Sequence, residues 1–105
     1  MNEPVQNKQQ LIDVIKQNSS HIKLYGVEEL GIFGSFVKNS VNQNSDVDFF
    51  IHFNPSYKTL SNLVGLSNYL QKLVGRKVEI VTPQSLNTFI GKYIMQEVEY
   101  VSIAA

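Results

Sequence analysis

Residues 32–51 read IFGSFVKNSVNQNSDVDFFI, in which two apolar runs flank a polar segment. The first run ends at Gly34 and Ser35, a loop rich in Asn and Ser occupies positions 39–45, and the second run begins at Asp46. β-Branched and aromatic residues predict a strand over 46–53. Ser35 is a favourable N-cap for one helical turn over 35–38. This part of the chain therefore predicts two strands joined by a tight turn and a loop.

The hydrophobic spacing on either side predicts the other elements. Apolar residues recur at helical intervals in three segments and form short strand-like runs in two more. The predicted helices span 6–24, 59–74 and 89–101, and the further strands span 29–33 and 77–82. This order predicts an α/β (α+β) fold, in which a small mixed sheet of three strands has helices packed on one face.

Length and composition limit the possible functions. With 105 residues the chain has the size of one domain, which we expect to span 1–105. Nine Lys and Arg balance nine Asp and Glu, which argues against dedicated nucleic-acid binding. The absence of cysteine excludes disulfides, thiolate zinc sites and cysteine nucleophiles. No apolar run resembles a signal peptide or reaches the ~20 residues of a membrane helix, so we expect a cytoplasmic protein with no membrane partner.

Asp46 and Asp48 are candidate metal ligands. Side chains two residues apart on a strand project from the same face, so these carboxylates are expected to lie a few ångström apart. Two carboxylates this close repel one another unless a cation lies between them. Mg²⁺ prefers such oxygen ligands, and the pair therefore predicts a magnesium site.

Glu79 extends this acidic pair. In the predicted strand over 77–82, Val78 and Ile80 share one face and Glu79 projects from the other. If this strand pairs with the strand of the aspartates, Glu79 lies on their face. Three acids could hold two Mg²⁺ ions ~4 Å apart, one on the nucleotide phosphates and one on the attacking hydroxyl. Glu79 would then help to remove the proton of that hydroxyl.

Gly34 and Ser35 are candidates for phosphate binding. Glycine lets a phosphate approach the backbone without interference from a Cβ. The predicted helical turn that follows directs free N–H groups at an anion, and Ser35 adds a hydroxyl donor. A phosphate site and a metal site so close in sequence favour phosphoryl chemistry, which depends on positioning and charge neutralisation.

The combined pattern resembles the motif of the DNA polymerase β nucleotidyltransferase superfamily. It consists of Gly34 and Ser35, then Ser-Asp-Val-Asp at 45–48 with Asp46 eleven residues after Ser35, and then the acidic Glu79 on a strand. The resemblance covers roughly residues 10 to 102. The short chain is similar in size to the minimal nucleotidyltransferases (MNT) of this superfamily, which are paired with HEPN-domain toxins.

The resemblance implies roles for individual residues. The catalytic and metal-binding acids of the family match three positions: Asp46, Asp48 and Glu79. Nucleotide binding is implied for four positions: Gly34, Ser35, Lys38 and Ser45. Two Mg²⁺ ions would be the cofactors, and ATP the substrate. By this resemblance the chain is an antitoxin that transfers AMP from ATP to a tyrosine of its partner HEPN ribonuclease and so silences it.

The sequence departs from the family pattern in two parts of the motif. Val37, Lys38 and Asn39 stand where the family often has Ala-Arg-Gly. Lys38 keeps the positive charge of arginine but lacks its bidentate fork. The third acid is a glutamate in place of the commoner aspartate, and its side chain is one methylene longer.

Three other functions remain compatible with the sequence. The chain could be an antitoxin that neutralises its toxin by binding alone, without catalysis. It could be a small-molecule nucleotidyltransferase of the aminoglycoside-modifying kind, although its zero net charge offers no evident attraction for a polycationic drug. It could also be one subunit of a larger split transferase. Homo-oligomers and hetero-oligomers are both possible.

Overall fold

The computed structural model describes residues 3–85 and 88–103, with the backbone alone at 85 and 88–90. The helices are α1 (Lys8–Gln17), α2 (Ser19–Lys23), α3 (Ser35–Lys38), α4 (Leu60–Val74) and α5 (Thr88–Glu97). The strands are β1 (Val27–Phe33), β2 (Val47–Phe53), β3 (Val78–Val81) and β4 (Glu99–Val101). Single 3₁₀ turns at Pro55–Tyr57 and Pro83–Ser85 follow β2 and β3. Within these described ranges, no helix combines the length and apolar character needed to cross a bilayer.

The sheet has the strand order β3-β2-β1-β4. Strand β1 pairs antiparallel with both β2 and β4, whereas β2 and β3 are parallel. A parallel pair requires a crossover connection, and α4 supplies it. Thr59 caps α4 by accepting a hydrogen bond from the Asn62 amide, and Gly75 ends the helix in the left-handed conformation. The expected mixed sheet is confirmed.

The core lies on one face of the sheet, between the strands and helices α1, α2 and α4. Alternate side chains of β2, those of Val47, Phe49 and Ile51, are fully buried there. They pack with apolar side chains that the helices contribute, namely Leu11, Ile15, Ile22, Leu66 and Leu70. Because strand side chains alternate, Asp48 lies on the opposite face, as the sequence predicted.

The predicted three-stranded sheet and the predicted helix over 89–101 were wrong at the end of the chain. Helix α5 ends at Glu97, and residues 99–101 form a fourth strand on the free edge of β1. Val98 and Val101 are three residues apart, which suits a helix, but no glycine or proline signals the end of α5. The strand arrangement buries Val101 and satisfies the backbone of β1, neither of which is visible in local periodicity.

The predicted first helix over 6–24 is divided in two at Asn18. This residue has φ −116° and ψ 19°, and its side-chain amide donates to the Val14 carbonyl at 2.8 Å. Asparagine side chains compete with the backbone for such hydrogen bonds and favour helix ends. The chain therefore turns between α1 and α2, and both helices bury their apolar residues against the same core.

Candidate active site

Asp48 and Glu79 lie side by side on the open face of the sheet, at paired positions of the parallel strands β2 and β3. Their side chains are within hydrogen-bonding reach of each other. Asp48 is half-buried, Glu79 is exposed, and Asp46 is partly buried just before β2. The charges of Glu79 and Asp46 both act on Asp48. The structure therefore brings the three predicted acids together.

The environment of Asp48 disfavours its charged form. Burial is the largest cause, followed by the negative charges of Glu79 and Asp46, and together with a weaker influence of Glu97 they raise the pKa of Asp48 from 3.8 to about 6. Burial in a less polar medium and like charges nearby both make an ionised carboxylate less stable. A carboxyl whose pKa is strongly perturbed by burial and by neighbouring acids is typical of a functional site.

Gly34 makes the close approach of Asp48 possible. It connects β1 to α3 with φ 74°, a conformation that glycine adopts without strain. Phe33, the residue before it, is the β1 partner of Asp48. A Cβ added at Gly34 would collide with Oδ2 of Asp48. The sequence predicted that this glycine makes room for a phosphate, which stays a prediction. The structure shows that it makes room for the side chain of Asp48.

Helix α3 places Ser35 at its first position, directly after the Gly34 turn. The amides of Val37 and Lys38 donate to the Gly34 carbonyl at 3.1 and 3.0 Å. The first amides of a helix have no carbonyl acceptor within that helix, so those at the start of α3 are suited to an anion. The phosphate-binding roles of Gly34 and Ser35 remain predictions.

Asn39 ends α3 in the left-handed conformation with φ 58°, and among the described residues it is the one non-glycine residue with a positive φ. This is the position where the family often has glycine. Asparagine tolerates the left-handed region better than most residues because its short polar side chain bonds locally. Asparagine at this position is therefore compatible with the left-handed conformation that ends α3.

Ser45 orders the loop that leads to the aspartates. Its hydroxyl oxygen accepts a hydrogen bond from the Asn42 amide at 2.9 Å, and its own amide donates to the Asn42 carbonyl at 3.1 Å. The side-chain oxygen of Asn42 also accepts from the Asn44 amide at 2.8 Å. These bonds fix a turn directly before Asp46. A role of Ser45 in nucleotide binding remains a prediction.

Glu97 is a fourth acid at this site that the sequence reasoning missed. It is the last residue of α5, and its Oε1 lies 2.8 Å from Nζ of Lys38. This ion pair raises the pKa of Lys38, and the charge of Glu97 also contributes to the raised pKa of Asp48. No motif spacing links position 97 to the aspartates. Only the end of α5 and the return of the chain into β4 bring it here.

The donor set at this site fits Mg²⁺ in chemistry. Asp46, Asp48 and Glu79 offer carboxylate oxygens, the ligands that Mg²⁺ prefers. Burial and, after it, the negative charges of Glu79 and Asp46 raise the pKa of Asp48, and a cation beside the three acids would offset these charges. Among the residues that the structure describes, no three His, Asp or Glu side chains already surround a common point as bound metal requires. Binding of an ion by all three acids therefore requires the carboxylates to reorient. Exposed side chains such as that of Glu79 can do so.

Comparison with known proteins places this arrangement in a family. Residues 8–101 match the family model described as nucleotidyltransferase domain. The protein adenylyltransferase MntA of Thermococcus cleftensis is 38% identical over 77 residues, which span 73% of this chain and 77% of that protein.

Solved structures share the fold. One described as a minimal nucleotidyltransferase superposes with a TM-score of 0.77 at 22% identity and covers 89% of this chain and 94% of its own. A crystal structure of a toxin–antitoxin with AMP-PNP superposes with a TM-score of 0.63 at 19% identity, covering 91% of this chain and 73% of its own. At these identities the likeness concerns the fold alone.

Proposed function

The chain belongs to the nucleotidyltransferase domain family, and we propose from this that it transfers AMP from ATP to a tyrosine hydroxyl of a partner HEPN-type toxin. In this role the chain is an antitoxin. The observation that carries the proposal is the pairing of Asp48 with Glu79 beside the Gly34 turn. An acidic pair next to a turn suited to anions matches what nucleotidyl transfer needs.

Asp46, Asp48 and Glu79 would hold Mg²⁺ in this proposal. When bound, the ion neutralises the charge of the triphosphate and lowers the pKa of an oxygen that it contacts. The carboxylates themselves supply the negative charge that fixes the ion. Asp48 would be ionised in that state, because the attraction of an adjacent cation would offset the burial and the repulsion by Glu79 and Asp46 that raise its pKa.

In the proposed reaction, residues of the chain would bind the triphosphate and accept the proton of the attacking hydroxyl. The backbone at Gly34 and Ser35 binds the triphosphate, and Lys38 adds positive charge after leaving Glu97. Glu79 accepts the proton of the attacking hydroxyl. A bond forms between that oxygen and the α-phosphorus, the bond from the α-phosphorus to the bridging oxygen breaks, and pyrophosphate leaves.

The relatives support a protein as the acceptor. The Thermococcus cleftensis protein, 38% identical over the matched region, is named a protein adenylyltransferase. A toxin–antitoxin crystallised with AMP-PNP, an ATP analogue, shares the fold. ATP is therefore the substrate to test first, and the toxin of a toxin–antitoxin pair is the acceptor to test first.

The test is transfer of labelled AMP from ATP to the purified partner toxin in the presence of Mg²⁺. We expect label on a tyrosine of the toxin, and a loss of at least 10³-fold for Asp48→Asn because the acidic cluster can no longer bind the ion. Asp13→Asn, an exposed change on α1, is the matched control and should transfer normally. Toxin inhibition that survives Asp48→Asn without any label would instead establish an antitoxin that acts by binding alone.

A further inference from the structure

Arg76 is the one charged or polar side chain that is buried among the described residues, with 8% of its surface exposed. It lies between Gly75, which ends α4, and β3. None of the ion pairs found among the described residues includes it. A buried charge without an anionic partner is costly unless hydrogen bonds compensate for lost water. The bonds that Arg76 makes therefore indicate what it stabilises.

The guanidinium group of Arg76 donates to three backbone carbonyls. Its Nε donates to the Val5 carbonyl at 2.7 Å, and one terminal nitrogen donates to the carbonyls of Asn42 and Ser45, both at 2.9 Å. Its central carbon also lies 5.4 Å from the ring centroid of Phe36, within the range of a cation–π contact.

Two of the three hydrogen bonds and the Phe36 contact reach segments that carry the acidic cluster, whereas the bond to Val5 holds the N-terminal segment. The Ser45 carbonyl belongs to the peptide bond that leads into Asp46, and Phe36 directly follows Ser35 in α3. Arg76 itself lies three residues before Glu79. One buried side chain thus joins the loop before β2, the turn of α3 and the start of β3.

We propose that Arg76 is a positioning residue, which fixes the loop at 42–45 and thereby keeps Asp46 beside Asp48 and Glu79, so that the three carboxylates can reorient around a metal ion. The loop lacks regular secondary structure, so its place depends on such contacts. This inference rests on the proposed function, because only that function gives the three acids a common task.

The geometry also explains why the residue is arginine. A guanidinium group presents five N–H donors in a rigid fork, whereas the lysine ammonium is a single flexible point charge. Lysine at position 76 would keep the charge but could not reach the carbonyls of Val5, Asn42 and Ser45 together. If Arg76 only stabilised the fold, its replacement would lower the stability of the protein but leave metal binding unchanged.

The test compares Arg76→Lys and Arg76→Met with Lys72→Met, which removes an exposed positive charge from α4. Backbone hydrogen exchange of the metal-free protein is measured well below the unfolding temperature. We expect the amides of Asn42, Ser45 and Val47 to exchange at least tenfold faster in both Arg76 variants, with α4 unchanged. Arg76→Lys keeps the proposal testable if Arg76→Met does not fold.

The second measurement is binding of Mn²⁺, as a spectroscopic substitute for Mg²⁺, together with AMP transfer. We expect the Mn²⁺ dissociation constant to rise at least fivefold and kcat to fall at least tenfold in folded Arg76 variants, while Lys72→Met matches the wild type. Unchanged loop exchange, or faster exchange with unchanged Mn²⁺ binding, would overturn the proposal.

Failure of the proposed function can be distinguished from failure of the proposed role of Arg76. A wild type that binds Mn²⁺ but transfers no AMP would end the proposed function, while exchange and Mn²⁺ binding in the variants would still decide the role of Arg76. A wild type that binds no Mn²⁺ would overturn both.

Discussion

The ammonium group of Lys38 lies 2.8 Å from a carboxylate oxygen of Glu97, so the end of α5 is tied to the short helix that follows the Gly34 turn. Lys38 is the cation assigned to the triphosphate in the proposed function. Its partner in the structure is Glu97, the last residue of α5. In the proposed function, a bound triphosphate would have to replace Glu97 at Lys38 and tolerate the negative charge that Glu97 retains.

Replacing Glu97 with glutamine should strengthen ATP binding. The change frees Lys38 and removes one negative charge near the phosphates, so we expect the dissociation constant of a non-hydrolysable ATP analogue to fall about two- to fivefold. Lys38→Met should raise the same constant. Calorimetric titration in Mg²⁺ measures both.

The matched control is Glu99→Gln. Glu99 forms a similar exposed ion pair with Lys8 at 3.1 Å, but it lies on the α1 side of the sheet. Its loss should leave nucleotide binding unchanged. Weaker ATP binding by Glu97→Gln would contradict the idea that Glu97 and the triphosphate compete for Lys38. It would show instead that Glu97 orients Lys38 for the nucleotide.

The raised pKa of Asp48 predicts how stability depends on pH in the absence of metal. The pKa is 3.8 without perturbation and about 6 in the fold, mainly because of burial and then because of Glu79 and Asp46. Below pH ~4 the carboxyl is neutral in both the folded and unfolded states. Between pH ~4 and ~6 only the unfolded state loses the proton, so the free energy of unfolding falls as pH rises and stays lower above pH ~6.

Asp48→Asn should remove this penalty. A shift of about two pKa units corresponds to ~3 kcal/mol, which solvent screening of a half-exposed group reduces to about 1 kcal/mol. At pH 8 in EDTA we therefore expect Tm to rise by about 4–8 °C, with the difference vanishing near pH 4. Circular dichroism melts check this, with Asp13→Asn as the control. A lower Tm for Asp48→Asn at pH 8 would refute the electrostatic account.

The sequence predicted those features of the site that depend on neighbouring residues in the chain. The common face of Asp46 and Asp48 follows from the period of a strand, and Glu79 could be assigned to the same face by the same reasoning. The register that sets Asp48 directly beside Glu79 is a long-range property of the sheet. From the sequence, the placement of Glu79 held only on the condition that its strand pairs with the strand of the aspartates. The conformation of Asn39 was also not predicted, since asparagine occurs in many loop conformations.

Two residues could not be found by motif or periodicity. Glu97 reaches the site only because the chain leaves α5 and returns along β1 as β4. In the sequence, Arg76 is one of nine Lys and Arg residues. Its partners are backbone carbonyls, which no sequence pattern indicates. Both depend on tertiary contacts, so these parts of the surroundings of the acidic cluster emerge only from the structure.

Mg²⁺ together with an ATP analogue should raise the melting temperature of the wild type through the acidic cluster. A ligand at a hundred times its dissociation constant stabilises the folded state by about 2.7 kcal/mol, which corresponds to a shift of roughly 10 °C or more in a domain of this size. The shift should disappear in Asp48→Asn and shrink in Glu79→Gln. Scanning calorimetry with and without EDTA measures it.

Glu29→Gln is the control for this shift. Glu29 is an exposed acid on β1 and pairs with His52, at the other end of β2 from the cluster. Its replacement should leave the Mg²⁺-dependent shift intact. An equal shift in Asp48→Asn would mean that the nucleotide complex binds elsewhere and would remove the acidic cluster from the mechanism.

Gly34→Ala should reduce both stability and activity, because this glycine has two separate constraints. Its φ of 74° is unfavourable for alanine, and the added Cβ would collide with Oδ2 of Asp48. The strained backbone and the displaced carboxylate together should lower the free energy of unfolding by roughly 2–3 kcal/mol. Since the displaced group is Asp48 itself, we also expect the folded fraction to lose AMP transfer at least a hundredfold.

Gly26→Ala separates these two effects. Gly26 has φ 78° and an added Cβ there would collide with the Tyr57 ring, so the same two constraints act at the opposite end of β1. Both variants should therefore unfold at lower denaturant concentrations than the wild type. Only Gly34→Ala should lose transfer per folded molecule and Mg²⁺-dependent stabilisation, because only there does the added methyl group displace a member of the acidic cluster. Equal activity of the two variants, corrected for folded fraction, would show that the space at Gly34 serves the fold and not the transfer of AMP.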